Sequence, residues 1–397
     1  MIYLDNAATT KPYPSVVERV AEVSIDDFGN PSAPYGLGMR AARILATSRE
    51  AIAASLGCEP GELFFTSGGT EANNLAVRGV HLAALAADVG RSSLVTSTLE
   101  HPSVTKAVRD IRRQGYKVAY IDVRNGSLDM QALTAALRGD TVPRNTCALI
   151  SLMKVQNVLG FVLPVEEAAL LRDEYAPGAL LHTDAVQAFG KMELRPGSCG
   201  IDLMSLSSHK IGGPRGIGAL YVRKGTRIFT TAFGGGQEGG LRSGTEPVAL
   251  AAGFAEAVRI AFARRKEYAA HCQQLRDRLL AALASAFPDV VVNSRPDGIP
   301  SCVHFSLPGL SNQAAVRLLS DQGIYVGISA ACDANHIRPG EAIRKKHPSV
   351  LQLAGVGAAL EKGSFRVSFS PDNSFEDIEA FVYALAQARA QLDRKPA

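Results

Sequence analysis

The chain reads as an α/β protein: a large, mostly parallel sheet flanked by helices, followed by a smaller α+β region. Three observations predict this. Short apolar runs alternate with helix-length amphipathic segments through the first two-thirds of the chain. The residues best suited to chemistry follow the ends of these runs, where ligands gather in parallel sheets. The alternation then breaks around Pro247, and a different mixture of helices and strands begins.

The strand candidates of the first region are 63–66, 93–96, 117–121, 148–151, 179–182 and 219–222. Strands spaced by helix-length segments imply βαβ units. An alanine-rich stretch over 248–286 predicts one long helix. Strands at 290–292 and 302–306, a helix over 312–322, a strand at 364–369 and a final helix from Ser374 follow. The segment 329–362 opens rich in glycine, proline, histidine and charge, and reads as a long loop running into weak helix. Loops of that length are functional or disordered.

Composition narrows the class. A chain of 397 residues is too long for one simple core and suits one large and one small domain. A net charge of +4 gives no argument for nucleic acid or an anionic membrane as partner. No apolar run approaches bilayer length, and Met1 to Asn6 lack the basic and apolar regions of a secretory signal. The six cysteines are scattered with no CxxC pair, so neither a zinc site nor a disulfide framework is expected. A reducing cytoplasm is the simplest setting, with most thiols serving as small buried hydrophobes.

Four segments carry chemistry. Thr66-Ser67-Gly68-Gly69-Thr70-Glu71-Ala72-Asn73-Asn74 follows a strand candidate and opens a helical pattern. Small residues there allow close backbone approach, and N–H groups at a helix start attract phosphate, although an ordinary βα turn has the same look. Asp184 ends the apolar run before Ala185-Val186-Gln187. Its carboxylate suits a metal, a helix cap or a cationic ring nitrogen. Lys210 stands between Ser205-Leu206-Ser207-Ser208-His209 and Ile211-Gly212-Gly213-Pro214. It is either a solvated surface charge or an amine desolvated enough to form a Schiff base. His101 and Asn157 each follow a further strand. A flat imidazole at such an end either plays a structural part or stacks on an aromatic ligand.

These segments, in this order, resemble the cysteine desulfurases. That family belongs to the class-V aminotransferase group on the pyridoxal-phosphate (PLP) fold type I scaffold. The resemblance runs from Tyr3-Leu4-Asp5-Asn6-Ala7-Ala8-Thr9-Thr10 to Arg366. It includes Glu100-His101 and the stretches 184–187, 207–210 and 234–247, and it points to the branch with a long catalytic loop. It implies a seven-stranded sheet, a large domain over 16–255, and a small domain from 1–15 and 256–397 that carries the Cys332 loop. It implies PLP as cofactor and a homodimer. Lys210 matches the lysine that binds the cofactor, Asp184 the partner of its ring nitrogen, Gln187 a contact to its ring hydroxyl, and His101 the residue stacked on the ring. Gly69, Thr70, Ser207 and His209 match phosphate contacts, and Thr245 a phosphate contact from the second subunit. Asn157 and Arg366 match groups that hold the substrate carboxylate, and Cys332 matches the sulfur-accepting nucleophile. The implied reaction turns L-cysteine into L-alanine and leaves a persulfide on Cys332 for an acceptor protein.

The sequence also departs from the family pattern. Val158 stands where an acidic residue is usual, and Ser329-Ala330-Ala331 precedes Cys332 where Gly-Ser-Ala is usual. Asp333 to Gly340 replace a hydroxyl-rich continuation, and the chain reaches Ala397 soon after the last helix pattern. These differences bear on the acceptor and, to a lesser degree, on the reaction, and not on PLP binding. Competing readings on the same scaffold are a selenocysteine lyase, a cysteine or cystine lyase, an aminotransferase, or a partner protein without turnover.

Overall fold

The strands of the chain are β1 (Ile2–Leu4), β2 (Leu63–Thr66), β3 (Ser93–Ser97), β4 (Lys117–Ile121), β5 (Val123–Arg124), β6 (Ser127–Leu128), β7 (Cys147–Ser151), β8 (Leu180–Asp184), β9 (Leu203–Ser207), β10 (Gly218–Val222), β11 (Val291–Val292), β12 (Cys302–Ser306), β13 (Ile324–Val326) and β14 (Ser364–Ser368). The helices are α1 (Pro14–Asp26), α2 (Gly36–Leu56), α3 (Gly69–Ala87), α4 (Pro102–Arg113), α5 (Met130–Arg138), α6 (Val165–Tyr175), α7 (Val248–Ala263), α8 (Arg265–Ala286), α9 (Asn312–Asp321), α10 (Val350–Leu353), α11 (Ala358–Glu361) and α12 (Phe375–Asp393). The structure is a computed structural model that describes residues 1–87, 90–91, 93–328 and 348–393.

Seven strands pair in the order β2-β10-β9-β8-β7-β3-β4. Neighbours from β9 to β4 run parallel, while β10 is antiparallel to both β2 and β9. Both faces are covered, so the strands are buried along their whole length rather than polar on one side. In β10, Ala219 and Tyr221 pack into the core under α2, α5, α6 and α7, while Leu220 and Val222 pack into the core under α3 and α4. The parallel direction brings the ends of β2, β3, β7, β8 and β9 to one edge of the sheet, and the start of β10 joins them.

A separate apolar core gathers Leu4 with side chains between Cys272 and Leu385, from α8, β12, α9, β13, β14 and α12. Strand β12 pairs with β11 and β14, and β1 pairs in parallel with β13. Bridges at Asp5–Ser368 and Gly327–Arg366 join these two small sheets.

Two sequence expectations change. The helix read over 248–286 is two helices, because Arg264 leaves helical geometry at φ −105° and ψ 8°. Phe254, Ala257 and Val258 of α7 face the large core, whereas Leu275, Leu279 and Leu283 of α8 face the small one. The chain turns because its apolar stripe changes partner. Strand β9 was not among the strand candidates, yet it lies in the middle of the sheet.

Candidate active site

The chemistry-bearing side chains meet at the strand ends. After β2, Ser67 and Gly68 lead into α3, which begins at Gly69. A Cβ on Gly69 would sit 2.6 Å from Cγ2 of Val186, so glycine lets this turn lie against the loop after β8. After β9, a 3-10 turn over Ser208–Lys210 lifts Lys210 off the sheet. Gly212 follows with φ +78°, and a Cβ there would lie 2.5 Å from the ring of Tyr13. The lysine loop is thus held against the start of the chain.

A relay of hydrogen bonds links three strand ends. Asn73 is buried in the first turns of α3 and donates Nδ2 to Oδ2 of Asp184 at 2.7 Å and to Oγ of Ser103 at 2.8 Å. A carboxylate only accepts, so the amide nitrogen must face Asp184. Ser103 Oγ lies 2.7 Å from Nδ1 of His101, and the Ser103 N–H donates to the same nitrogen at 3.2 Å. This makes His101 the N-cap of α4. Nδ1 accepts, so the ring proton is on Nε2. Burial pushes the imidazole below its usual range and the Lys210 charge adds to this, while Asp184 opposes it. Asp184 is fixed further by the N–H of Val186 at 3.0 Å.

The N-terminal segment forms one wall. Lys210 Nζ donates to the carbonyls of Ala7 and Ala8, each at 2.7 Å, and Gln187 Nε2 donates to the Ala7 carbonyl at 2.9 Å. His209 Nδ1 lies 3.1 Å from Oγ1 of Thr9. Burial, then the charges of Lys210, Arg215 and Lys191, push His209 down to about 4, so it is neutral at physiological pH. The segment is itself tied to β14, since Ala7 N–H donates to Ser368 Oγ at 2.8 Å.

Arg366 enters from β14. Its Nη2 meets Oδ1 of Asp5 at 2.6 Å and its Nη1 donates to the main-chain oxygen of Asn157 at 2.9 Å. Its Nε is buried and has no hydrogen-bond partner among the described residues. The Asn157 turn is closed by Gln156, whose Oε1 accepts the N–H groups of Val158 and Leu159, both at 2.7 Å. Val158, where the family pattern is acidic, is buried in the large core.

The structure therefore brings Lys210, Gln187 and His209 together around 7–9, connects His101 with Asp184, and places Asn157 against Arg366. Ser207 is buried at the end of β9, and Thr70 is exposed at the start of α3. Thr245 is exposed in the loop before α7. Cys332 lies outside the described residues. Sequence reading assigned no part to Asp5, Asn73, Gln156 or the Ala7 and Ala8 carbonyls. Asn73 had a signal: it shares the buried face of α3 with Ala76, Val77 and Val80, at helical spacing. The run from Tyr3 to Thr10 stood out as a segment, but nothing in it names which carbonyl faces the lysine.

The sequence model of the aminotransferase class-V family matches residues 2–381. An IscS-like cysteine desulfurase of Mycobacterium tuberculosis is 36% identical, covering 99% of this chain and 98% of that protein. Among solved structures, a NifS-like protein superposes with a TM-score of 0.88 at 29% identity, covering 98% of this chain and 99% of the other. SspA in complex with cysteine gives a TM-score of 0.79 at 29% identity, covering 94% of this chain and all 100% of the other. The chain belongs to the class-V aminotransferase family, within its cysteine desulfurase branch. Its fold is that of the PLP fold type I enzymes, and the cofactor of this family is pyridoxal phosphate.

The residues present fit that cofactor. Ser207 Oγ is buried at the end of β9 without a hydrogen-bond partner among the described residues, and the Ser207 side chain lies beside Gly69 in the turn that opens α3. A hydroxyl so placed suits an anion that would accept its hydrogen bond. The ionisable carboxylate of Asp184 is oriented but not neutralised by any basic side chain in the hydrogen bonds described for it.

Proposed function

We propose that the chain converts L-cysteine to L-alanine and holds the sulfur as a persulfide on Cys332 for delivery to an acceptor protein. The observation that carries this reading is the convergence of Lys210, Gln187 and, through Asp5, Arg366 on one N-terminal segment, with the Asp184–Asn73–Ser103–His101 relay at the neighbouring strand ends.

When bound, PLP supplies an electron sink for charge that develops at the substrate's α-carbon. Lys210 would hold it covalently, and the Nζ amine of Lys210 would serve as the base for the α-proton. Asp184 would keep the pyridine nitrogen protonated, and the flat face of His101 would lie against the ring. Gln187 would meet the ring hydroxyl. Gly69, Thr70, Ser207 and His209 would hold the phosphate, with Thr245 of a second subunit. Arg366 and Asn157 take the substrate carboxylate, for which a guanidinium fork is well shaped. The Cys332 thiolate then attacks the substrate sulfur. An S–S bond forms and the Cβ–S bond breaks, its electron pair staying on carbon, which a proton converts to the methyl group of alanine.

The same reading makes the protein a homodimer. Phe233 is 91% exposed and Phe28, Tyr35 and Met39 are also exposed, a set of apolar side chains that a partner would cover. It divides the chain into a large domain over 16–255 and a small one from 1–15 and 256–397. The separate core joining Leu4 to side chains of 272–385 supports that division. It places the enzyme in a reducing cytoplasm, in keeping with free thiols at all five described cysteines. No helix among the described residues is long and apolar enough to cross a membrane.

The test is to incubate the purified holoenzyme with L-cysteine and a reductant and to assay products. Equal alanine and sulfide, with turnover and visible absorbance both lost in Lys210→Ala, supports the reading. Pyruvate in place of alanine overturns it in favour of a lyase.

A further inference from the structure

Between β10 and α7 the chain forms a glycine-rich strap that carries exposed Phe233 and exposed Thr245. Gly236, Gly239, Gly240 and Gly244 all have positive φ, and so does Glu238 at φ +50°. A strap with that much glycine has many conformations to lose, so a single shape needs anchors.

Two carboxylates supply them. Glu238 is only 7% exposed and accepts Nη1 and Nη2 of Arg49, each at 2.7 Å. Its Oε2 also accepts the N–H of Phe65 at 2.8 Å. Phe65 lies in β2, the edge strand, so the Glu238 carboxylate takes a place that a neighbouring strand would fill. The Arg49 guanidinium stacks 4.7 Å from the Phe65 ring centre and donates to the Leu63 carbonyl at 2.5 Å. The second anchor is Glu71 in the first turn of α3. Its Oε1 accepts Nε of Arg242 at 3.1 Å and its Oε2 accepts the Ser67 N–H at 2.5 Å. Bracketing the two anchored positions, the Gly244 N–H donates to Oε1 of Gln237 at 2.9 Å, directly before Thr245.

We propose that Glu238 and Arg242 are positioning residues for the active site of the other subunit: pinned to β2 and α3 of their own chain, they set the strap so that Thr245 reaches the second subunit's phosphate. This rests on the reading of Thr245 as a contact made across the dimer. The bonds that hold the strap are thus made in one subunit and their effect is felt in the other.

Mixed dimers separate the two subunits. One chain carries Lys210→Ala together with Arg242→Ala, and its partner is wild type, so lysine-bound PLP forms only on the wild-type chain. The control pairs wild type with Lys210→Ala alone. PLP affinity is read by absorbance titration, alongside dimer mass and melting temperature. The wild-type site opposite Arg242→Ala should bind PLP about tenfold more weakly than the control, the scale of one charge-assisted hydrogen bond lost, with the dimer intact. Moving Arg242→Ala onto the chain that keeps Lys210 should cost less. A loss in that second arrangement equal to or greater than the first overturns the proposal. Glu238→Gln, which breaks the fork on Arg49 but keeps an acceptor, should repeat the pattern. Thr245→Ala in the same arrangement tells the two readings apart. If it does not weaken PLP in the opposite site, the contact across the dimer fails. If it does, while Arg242→Ala and Glu238→Gln do not, only the positioning role fails.

Discussion

Arg366 and Asp5 form a 2.6 Å ion pair across 361 positions of sequence, joining β14 to the segment that also receives Lys210. Gly327 makes room for it, since a Cβ there would lie 2.6 Å from Oδ1 of Asp5 and 3.1 Å from Nε of Arg366. The pair aims the guanidinium while leaving Nε without a partner. Replacing Asp5 by Ala should raise KM for L-cysteine roughly tenfold and leave the PLP absorbance unchanged, because one charge-assisted contact orienting Arg366 is lost. Steady-state kinetics decide this. A fall in KM would show that Asp5 competes with the substrate carboxylate instead of orienting its receptor.

Asn73 joins Asp184 to Ser103 and, through it, to His101. Asn73→Ala leaves two buried acceptors without their donor, a cost of about 1–3 kcal/mol. The expected outcome is a lower melting temperature and faster loss of PLP on dialysis, since Asp184 is no longer held. Unchanged PLP retention would contradict the relay's part in holding the cofactor.

Glu100, next to His101, is buried, with Oε1 taking the Ser97 hydroxyl at 2.6 Å and the Met153 N–H at 2.9 Å. Burial, with the nearby Asp184 charge adding to it, pushes the carboxyl from its usual 4.5 up to about 8. The folded chain therefore keeps this proton where the unfolded chain has released it. The stability from protonated Glu100 is complete below 4.5, declines above it, and is lost as pH rises through about 8. Glu100→Gln is uncharged at every pH, so its melting temperature should climb relative to wild type between pH 5 and pH 9. A difference that stays flat across that window would rule out a protonated Glu100.

Gln156 shapes the turn that gives its Asn157 carbonyl to Arg366. Gln156→Ala should raise KM for L-cysteine roughly fivefold with little change in kcat, the scale of about one hydrogen bond. Gln156→Glu keeps both acceptor positions for the Val158 and Leu159 N–H groups and should restore most of the loss. Equal defects in both variants would mean that the amide acts on something other than the turn.

Much of this site was legible because parallel sheets put function at strand ends. Asp184, His101 and Asn157 each follow an apolar run in the sequence, Lys210 follows the hydroxyl-rich β9, and all four lie at the same edge of the sheet. Strand β9 was not legible, because its hydroxyls look like loop. Ser205 is buried within reach of His182, whose Nε2 lies 3.0 Å from its Oγ and whose Nδ1 lies 2.8 Å from Ser151 Oγ. Burial pushes that imidazole down to about 4, so a neutral ring bridges three strands where a sequence pattern shows only polar residues. The break at Arg264 has no glycine or proline to mark it, because it reflects which core each helix meets. Asp5 and Gln156 act through contacts whose partners are far away in sequence or on the main chain, and residue type alone does not announce those.

The central claim is that sulfur leaves L-cysteine onto Cys332, and a product assay on the Cys332→Ala holoenzyme tests it most directly. The account predicts that the variant keeps the visible absorbance of lysine-bound PLP, forms no persulfide, and releases neither alanine nor sulfide above background, while wild type releases both in equal amounts. Undiminished alanine and sulfide from Cys332→Ala would remove this cysteine from the reaction and contradict the account.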